Sequence, residues 1–140
     1  MFGIIISGHG EFAKGFEKTL ELVMGTQEKL EFVNFTEGKT PLALEAEFKD
    51  AMEKIGEDEV LFLTDISGGT PFSTAALMSS DKIKVISGCN MAMVVEAINL
   101  RDDQNLSESI EEIIESAIDG IELFKPIEVE NNSDFDSDGI

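Results

Sequence analysis

The stretch Met1-Phe2-Gly3-Ile4-Ile5-Ile6-Ser7-Gly8-His9-Gly10 decides how this chain is read. Phe2 to Ser7 is a short, continuous apolar run, the pattern of a buried strand, and it closes on two glycines that flank the chain's one histidine. A second run, Val60-Leu61-Phe62-Leu63, leads through Thr64-Asp65 into Ile66-Ser67-Gly68-Gly69-Thr70-Pro71. Both runs are apolar along their whole length, as strands must be when a parallel sheet is covered on both faces. Leu30 to Phe35 and Lys82 to Ser87 also read as strands but carry polar residues, which places them at the edges. The expected sheet order is therefore 2-1-3-4.

Between the strands the apolar period changes to three and four, the spacing of helices. Phe12, Phe16, Leu20 and Val23 share one helix face, closed by Gly25. Thr40-Pro41 is a cap and first-turn pair for a second helix, whose stripe is Leu44, Phe48, Ala51, Met52 and Ile55 and whose stop is Gly56. Helices are expected after strands three and four as well. Ile110, Ile113, Ile114, Ala117, Ile118 and Ile121 then form the stripe of a last helix, capped by Ser107. The fold class is a doubly wound α/β domain over residues 1–127. Beyond Pro126, residues 128–140 are acidic and rich in Asn, Ser and Gly, the composition of a disordered tail.

In a sheet ordered 2-1-3-4 the connections reverse direction between strands one and three, and ligands bind in the crevice at their carboxyl ends. His9 follows strand one and Asp65 follows strand three. Adjacent parallel strands lie about 4.8 Å apart, so these two side chains come within hydrogen-bonding reach. An imidazole attacks phosphorus through an unprotonated nitrogen. A carboxylate accepting from the other ring nitrogen fixes the tautomer and stabilises the cationic phosphoimidazole. The glycines of the two turns, Gly10, Gly68 and Gly69, free the backbone to approach phosphoryl oxygens, and Thr70-Pro71 begins a helix whose first N–H groups suit an anion. The bland alternative for each residue is local: a solvated histidine, a capping aspartate, a structural turn. The sole arginine, Arg101, has a sharp reading as a phosphate ligand and a bland one as the ion-pair partner of Asp102 or Asp103 or as a loop contact.

Composition narrows the partners. The chain has 140 residues, 42% of them hydrophobic, enough for one genuine core. Its net charge of −19 disfavours nucleic acid and anionic membrane, which are bound by clustered Lys and Arg, and favours basic proteins. Five of the 29 acidic residues, Glu128, Glu130, Asp134, Asp136 and Asp138, sit in the tail, and the body without them is still acidic. Cys89 is alone, so neither an intrachain disulfide nor a cysteine zinc cage can form, and no metal or other cofactor is expected. No basic region precedes the first apolar stretch and no apolar run nears the ~20 residues of a membrane span, so a cytoplasmic location is expected.

From Met1 to Lys125 the chain resembles the enzyme IIA components of the mannose-family phosphoenolpyruvate-dependent sugar phosphotransferase system. The resemblance rests on the order and spacing of Gly8-His9-Gly10, Met24-Gly25 with Gln27, Phe62-Leu63-Thr64-Asp65, Gly68-Gly69-Thr70-Pro71-Phe72, Gly88 and Asn90 with Met93, and Arg101-Asp102-Asp103. It implies that His9 is the phosphorylation site, that Asp65 supports it, and that Thr70 lies near the phosphoryl oxygens. It further implies a cycle in which the phosphocarrier protein HPr donates to His9 and His9 passes the group to a IIB component. The sugar and the membrane are then met only through other components. A homodimer is implied too, with an antiparallel C-terminal strand, here Ile121 to Val129, exchanged between subunits. Gly8 departs from the pattern, since a hydroxyl residue is common there.

Two rivals differ in class. A histidine phosphatase also forms phosphohistidine but needs an arginine beside the nucleophile and a second histidine, which this chain lacks. A non-catalytic, flavodoxin-like regulatory module would hold an anion or nucleotide at Gly68 to Thr70 without chemistry.

Overall fold

A computed structural model describes residues 1–128. Four parallel strands form one sheet in the order β2-β1-β3-β4. They are β1 (Gly3–His9), β2 (Leu30–Phe35), β3 (Val60–Thr64) and β4 (Ile83–Ile86), with helices α1 (Phe12–Met24), α2 (Pro41–Ile55), α3 (Thr70–Ala76), α4 (Met91–Leu100) and α5 (Leu106–Asp119). The predicted order and the central placement of the two apolar runs hold. β3 is buried at every residue, whereas β4 is half-buried throughout.

Alternation along β1 feeds two cores. Ile4 and Ile6 pack with Leu61 and Leu63 against α1, α4 and α5 through Leu20, Val94, Ala97 and Ile113. Ile5 packs with Val60 and Phe62 against α2 and α3 through Leu44, Phe48, Ile55 and Ala75. Helices therefore cover both faces, α1 on one and α2 on the other. This change of side makes the gap between β1 and β3 the switch point of the sheet.

Local signals explain most element ends. Thr40 Oγ1 accepts from the Ala43 N–H at 3.1 Å and caps α2, and Gly56 ends it in the left-handed region at φ 68°. β1 runs two residues past Ser7, because Gly8 and His9 continue the pairing with Asn34 and Phe35 of β2. α5 starts earlier than predicted: Asn105, not Ser107, caps it, accepting from the Glu108 N–H at 2.9 Å, and Leu106 becomes the first buried residue. The apolar stripes are also narrower than their periodicity suggests. Val23 is exposed at the end of α1, and Ile114, Ile118 and Ile121 are exposed on or after α5. Residues 121–128 form no strand in the single chain, and Val129 and most of the acidic tail lie outside the described residues.

Ser7 and Thr64 are register partners on the two central strands, and both hydroxyls are buried with no hydrogen-bond partner among the described residues. Replacing such hydroxyls by apolar atoms of similar shape removes a desolvation cost without losing a bond. Urea unfolding is expected to show Thr64→Val neutral or stabilising, within about 0.5 kcal/mol, against a loss of about 3–5 kcal/mol for Phe62→Ala on the same strand.

Candidate functional site

His9 is the last residue of β1 and Asp65 the first after β3. Asp65 Oδ2 accepts two hydrogen bonds from the one residue, from the His9 backbone N–H at 2.9 Å and in contact with Nδ1 at 2.7 Å. Its other oxygen accepts from the Ile66 N–H at 2.9 Å. Burial of Asp65 opposes ionisation, but these bonds from His9 and Ile66 outweigh it and hold the carboxyl below its ordinary range. An ionised carboxylate can only accept, so Nδ1 carries the proton and the neutral ring leaves its lone pair on Nε2. The imidazole is 50% exposed while the carboxylate is 16% exposed, so a supported ring edge faces outward.

Three neighbours shape the ring's surroundings. Phe35, paired with His9 in the β1–β2 register, meets the imidazole in an edge-to-face arrangement with centroids 5.8 Å apart. Gly69 lies against the ring, and a Cβ there would sit 2.6 Å from His9 Cε1. Gly10 turns the chain at φ 62° and donates its N–H to the Phe35 carbonyl at 2.8 Å. The helix that follows is anchored from outside itself: Glu11 provides no side-chain cap, and Asn34 Oδ1 of β2 accepts from the Lys14 N–H at 3.1 Å. Gly8 has its own steric reason, since a Cβ would come within 2.5 Å of Phe12 Cδ1.

The second turn enters α3 as predicted, with Gly68 at φ 80°, Gly69 as the capping position and Thr70-Pro71 opening the helix. Thr70 makes no hydrogen bond to His9 or Asp65. Cys89 donates its N–H to the Thr64 carbonyl at 2.9 Å, tying the end of β4 to the residue before Asp65. Burial, reinforced by the Asp65 charge, pushes its thiol up to about 12, so it is no nucleophile near neutral pH.

Arg101 takes its bland reading in the form of a loop contact, not as a phosphate ligand or an ion-pair partner. It is 3% exposed, beneath the amino ends of the strands and away from His9, and donates from Nη1 to the Lys29 carbonyl at 3.3 Å. It forms no ion pair with Asp102 or Asp103. Its role is to hold the turn before β2, where Lys29 has φ 56°.

Phe35, Asn34 and the contact of Gly69 with the ring were not anticipated from the sequence. A signal for Phe35 existed, because it ends the strand that the predicted order sets beside β1. Asn34 and Gly69 act through distances that no sequence pattern encodes.

A histidine and a shielded carboxylate joined across the switch point of an open parallel sheet define the class: a doubly wound α/β domain with a titratable pair in its crevice. Residues 3–114 match the EIIA-man family, described as "PTS system fructose IIA component", where PTS is the phosphotransferase system, and the chain belongs to that family. The fructose-specific EIIA component of Bacillus subtilis (strain 168) is 32% identical over 111 residues, covering 77% of this chain and 76% of its own length. The mannose-specific EIIAB component of Escherichia coli (strain K12) is 33% identical over 131 residues, and this chain spans 41% of that longer protein. Among solved structures, EIIA from Streptococcus agalactiae superposes with a TM-score of 0.80 at 35% identity, over 86% of this chain and 95% of its own. The mannose/sorbose IIA subunit from Enterococcus faecalis has a TM-score of 0.81 at 22% identity, over 91% and 98% of the two chains, a likeness of fold. Membership gives the chain a phosphotransfer role in sugar uptake, in a system whose IIA components work with HPr and IIB partners.

The lowered Asp65 carboxyl makes a stability prediction with a definite sign. A depressed native pKa stabilises the fold above the unfolded-state value, about 3.9, and this contribution disappears as the pH falls through the native value. The stability gap between the wild type and Asp65→Asn, measured by urea unfolding, is therefore expected to be widest near neutrality and to narrow below about pH 4.

Proposed function

We propose that His9 is the phosphoryl carrier: Nε2 accepts the group from phospho-HPr and passes it to a IIB component. The observation that carries this reading is the 2.7 Å contact between Nδ1 and the ionised Asp65, which leaves the lone pair on the exposed ring edge. In the first transfer a bond forms between Nε2 and phosphorus as the donor's phosphorus–nitrogen bond breaks, and the donor imidazole departs with that electron pair. His9 becomes a cation whose Nδ1–H remains on Asp65. The second transfer reverses the roles, with the IIB nucleophile displacing the His9 imidazole.

Such transfers ask for in-line positioning and charge stabilisation more than for covalent assistance. The Asp65 charge lies beside the ring that becomes cationic, so it stabilises the phosphorylated state more than the resting one. Gly10, Gly68, Gly69 and Thr70 surround the crevice from the two turns and are the proposed contacts of the phosphoryl oxygens. The carrier unit is residues 1–127, and its place of work is the cytoplasm.

A homodimer belongs to the same proposal. The edge of β4, unpaired among the described residues, borders an apolar groove of about 840 Å³ lined by Phe72, Val85, Ile86, Ile110, Ile114 and Ile118. Leu123 and Phe124 just beyond α5 are 79% and 78% exposed in the single chain. Residues 121–128 of a second copy would lie along that edge as an added strand and bury these side chains in the groove.

Incubation with phosphoenolpyruvate, the general phosphotransferase enzyme I and HPr is expected to add one phosphoryl mass to the protein, and His9→Ala to abolish the gain. Absence of any gain in the folded wild type would sink the carrier reading. Asp65→Asn retains the shape but not the charge, and transfer is expected to slow by more than about tenfold; an unchanged rate would reduce Asp65 to a structural residue. For the dimer, sedimentation is expected to show two copies in the wild type and one in Leu123→Asp/Phe124→Asp, and equal masses for the two would rule out the strand's role.

A further inference from the structure

Gly68 and Gly69 stand side by side for different reasons. Gly68 has φ 80°, in the left-handed region, and open space around its Cα. Gly69 has φ −79° and ψ 166°, extended backbone that any residue adopts. What excludes a side chain at position 69 is the histidine. A Cβ would lie 2.6 Å from His9 Cε1 and 3.4 Å from Nε2, with Ile66 Cγ2 at 3.2 Å.

The ring has little freedom to give way inside the site. Its Nδ1 edge is held by Asp65 at 2.7 Å and Phe35 stands at 5.8 Å between centroids. The open direction is solvent, since the side chain is half exposed. A methyl group at position 69 would drive the imidazole outward and away from Oδ2, and would occupy space beside Nε2.

We propose that Gly69 is a positioning residue for His9: its bare Cα sets the plane of the imidazole against Asp65 and keeps open the space next to Nε2 that the phosphoryl group enters. The inference rests on the carrier role of His9 for its functional meaning, while the steric coupling of the two residues stands apart from it. Gly69 takes no part in bond making or proton movement. In this role it acts through the ring and the space beside it, apart from any backbone contact with the phosphoryl oxygens.

The test compares the wild type, Gly69→Ala, His9→Ala and the double variant in the full chain. Gly69→Ala is expected to lower the rate of transfer from phospho-HPr by about tenfold or more. It is also expected to weaken the Nδ1–H tautomer preference of His9, to be measured by imidazole nitrogen NMR of the wild type and the variant side by side. Unfolding in urea supplies an independent reading: Gly69→Ala should lower the midpoint more in the wild-type background than in His9→Ala, where only the contact with Ile66 remains. Should Gly69→Ala fail to fold, recovery of folding in the double variant supports the inference, and failure of both overturns it. Equal midpoint shifts in the two backgrounds overturn it as well, as does a slowed transfer with an unaltered tautomer or a wild-type transfer rate. If the wild type itself accepts no phosphoryl group, the carrier reading falls, and the tautomer and unfolding measurements still decide whether Gly69 sets the ring.

Discussion

One carboxylate oxygen receives both the peptide N–H and the ring Nδ1 of a residue 56 positions away in sequence. This double contact orients the backbone at the end of β1 and the side chain it carries, so a rotation of either disturbs the other. It exists because β1 and β3 pair in parallel with Ser7 opposite Thr64, which brings the next residues of both strands out over the same crevice. The carboxylate stays ionised because three donors compensate its partial burial. From that charge follow the tautomer, the free lone pair on Nε2 and the stabilisation of a ring that gains positive charge.

The remaining walls of the site come from elements that do no chemistry. β2 contributes Phe35 to the ring's side and Asn34 to the first turn of α1, so the edge strand braces the segment immediately after the histidine. β4 is tied in through Cys89 and the Thr64 carbonyl. Each central strand is thus secured by its outer neighbour near the point where it delivers a functional side chain. The close approach of Gly69 completes the enclosure on one side and leaves the other to solvent, the direction from which a protein partner can reach the imidazole.

At the other edge of the sheet the same apolar economy is incomplete. Ile113 and Ala117 of α5 are buried against α4, while Ile118, one turn beyond Ile114, is 61% exposed above the groove beside β4. A six-residue stripe is wider than one helix–helix contact needs, and its surplus faces a strand whose outer edge is unpaired among the described residues. An unpaired edge is a template for another strand, and apolar surface beside it gains from being covered, which is the physical ground for the proposed strand from a second copy.

The periodicity of apolar residues by itself determined the elements, their alternation and the order of the sheet. Continuous apolar runs cannot lie at an edge, and the polar residues of β2 and β4 cannot lie at the centre. That order was enough to bring His9 and Asp65 together, because parallel strands deliver their carboxyl ends to one side. Finer features escaped for physical reasons. Asn105 displaced Ser107 as the cap of α5 because burying Leu106 extends the helix by two residues, and the loop that Arg101 holds, the Lys29 turn, is set by packing at the far end of the sheet. Only the tertiary structure decided that one oxygen of Asp65 takes both His9 donors, that Phe35 stands beside the ring, and that Gly69 is bare because of an imidazole 2.6 Å from where its side chain would begin. These are distances between side chains on different elements, and a sequence pattern specifies which face a residue lies on but not what it meets there.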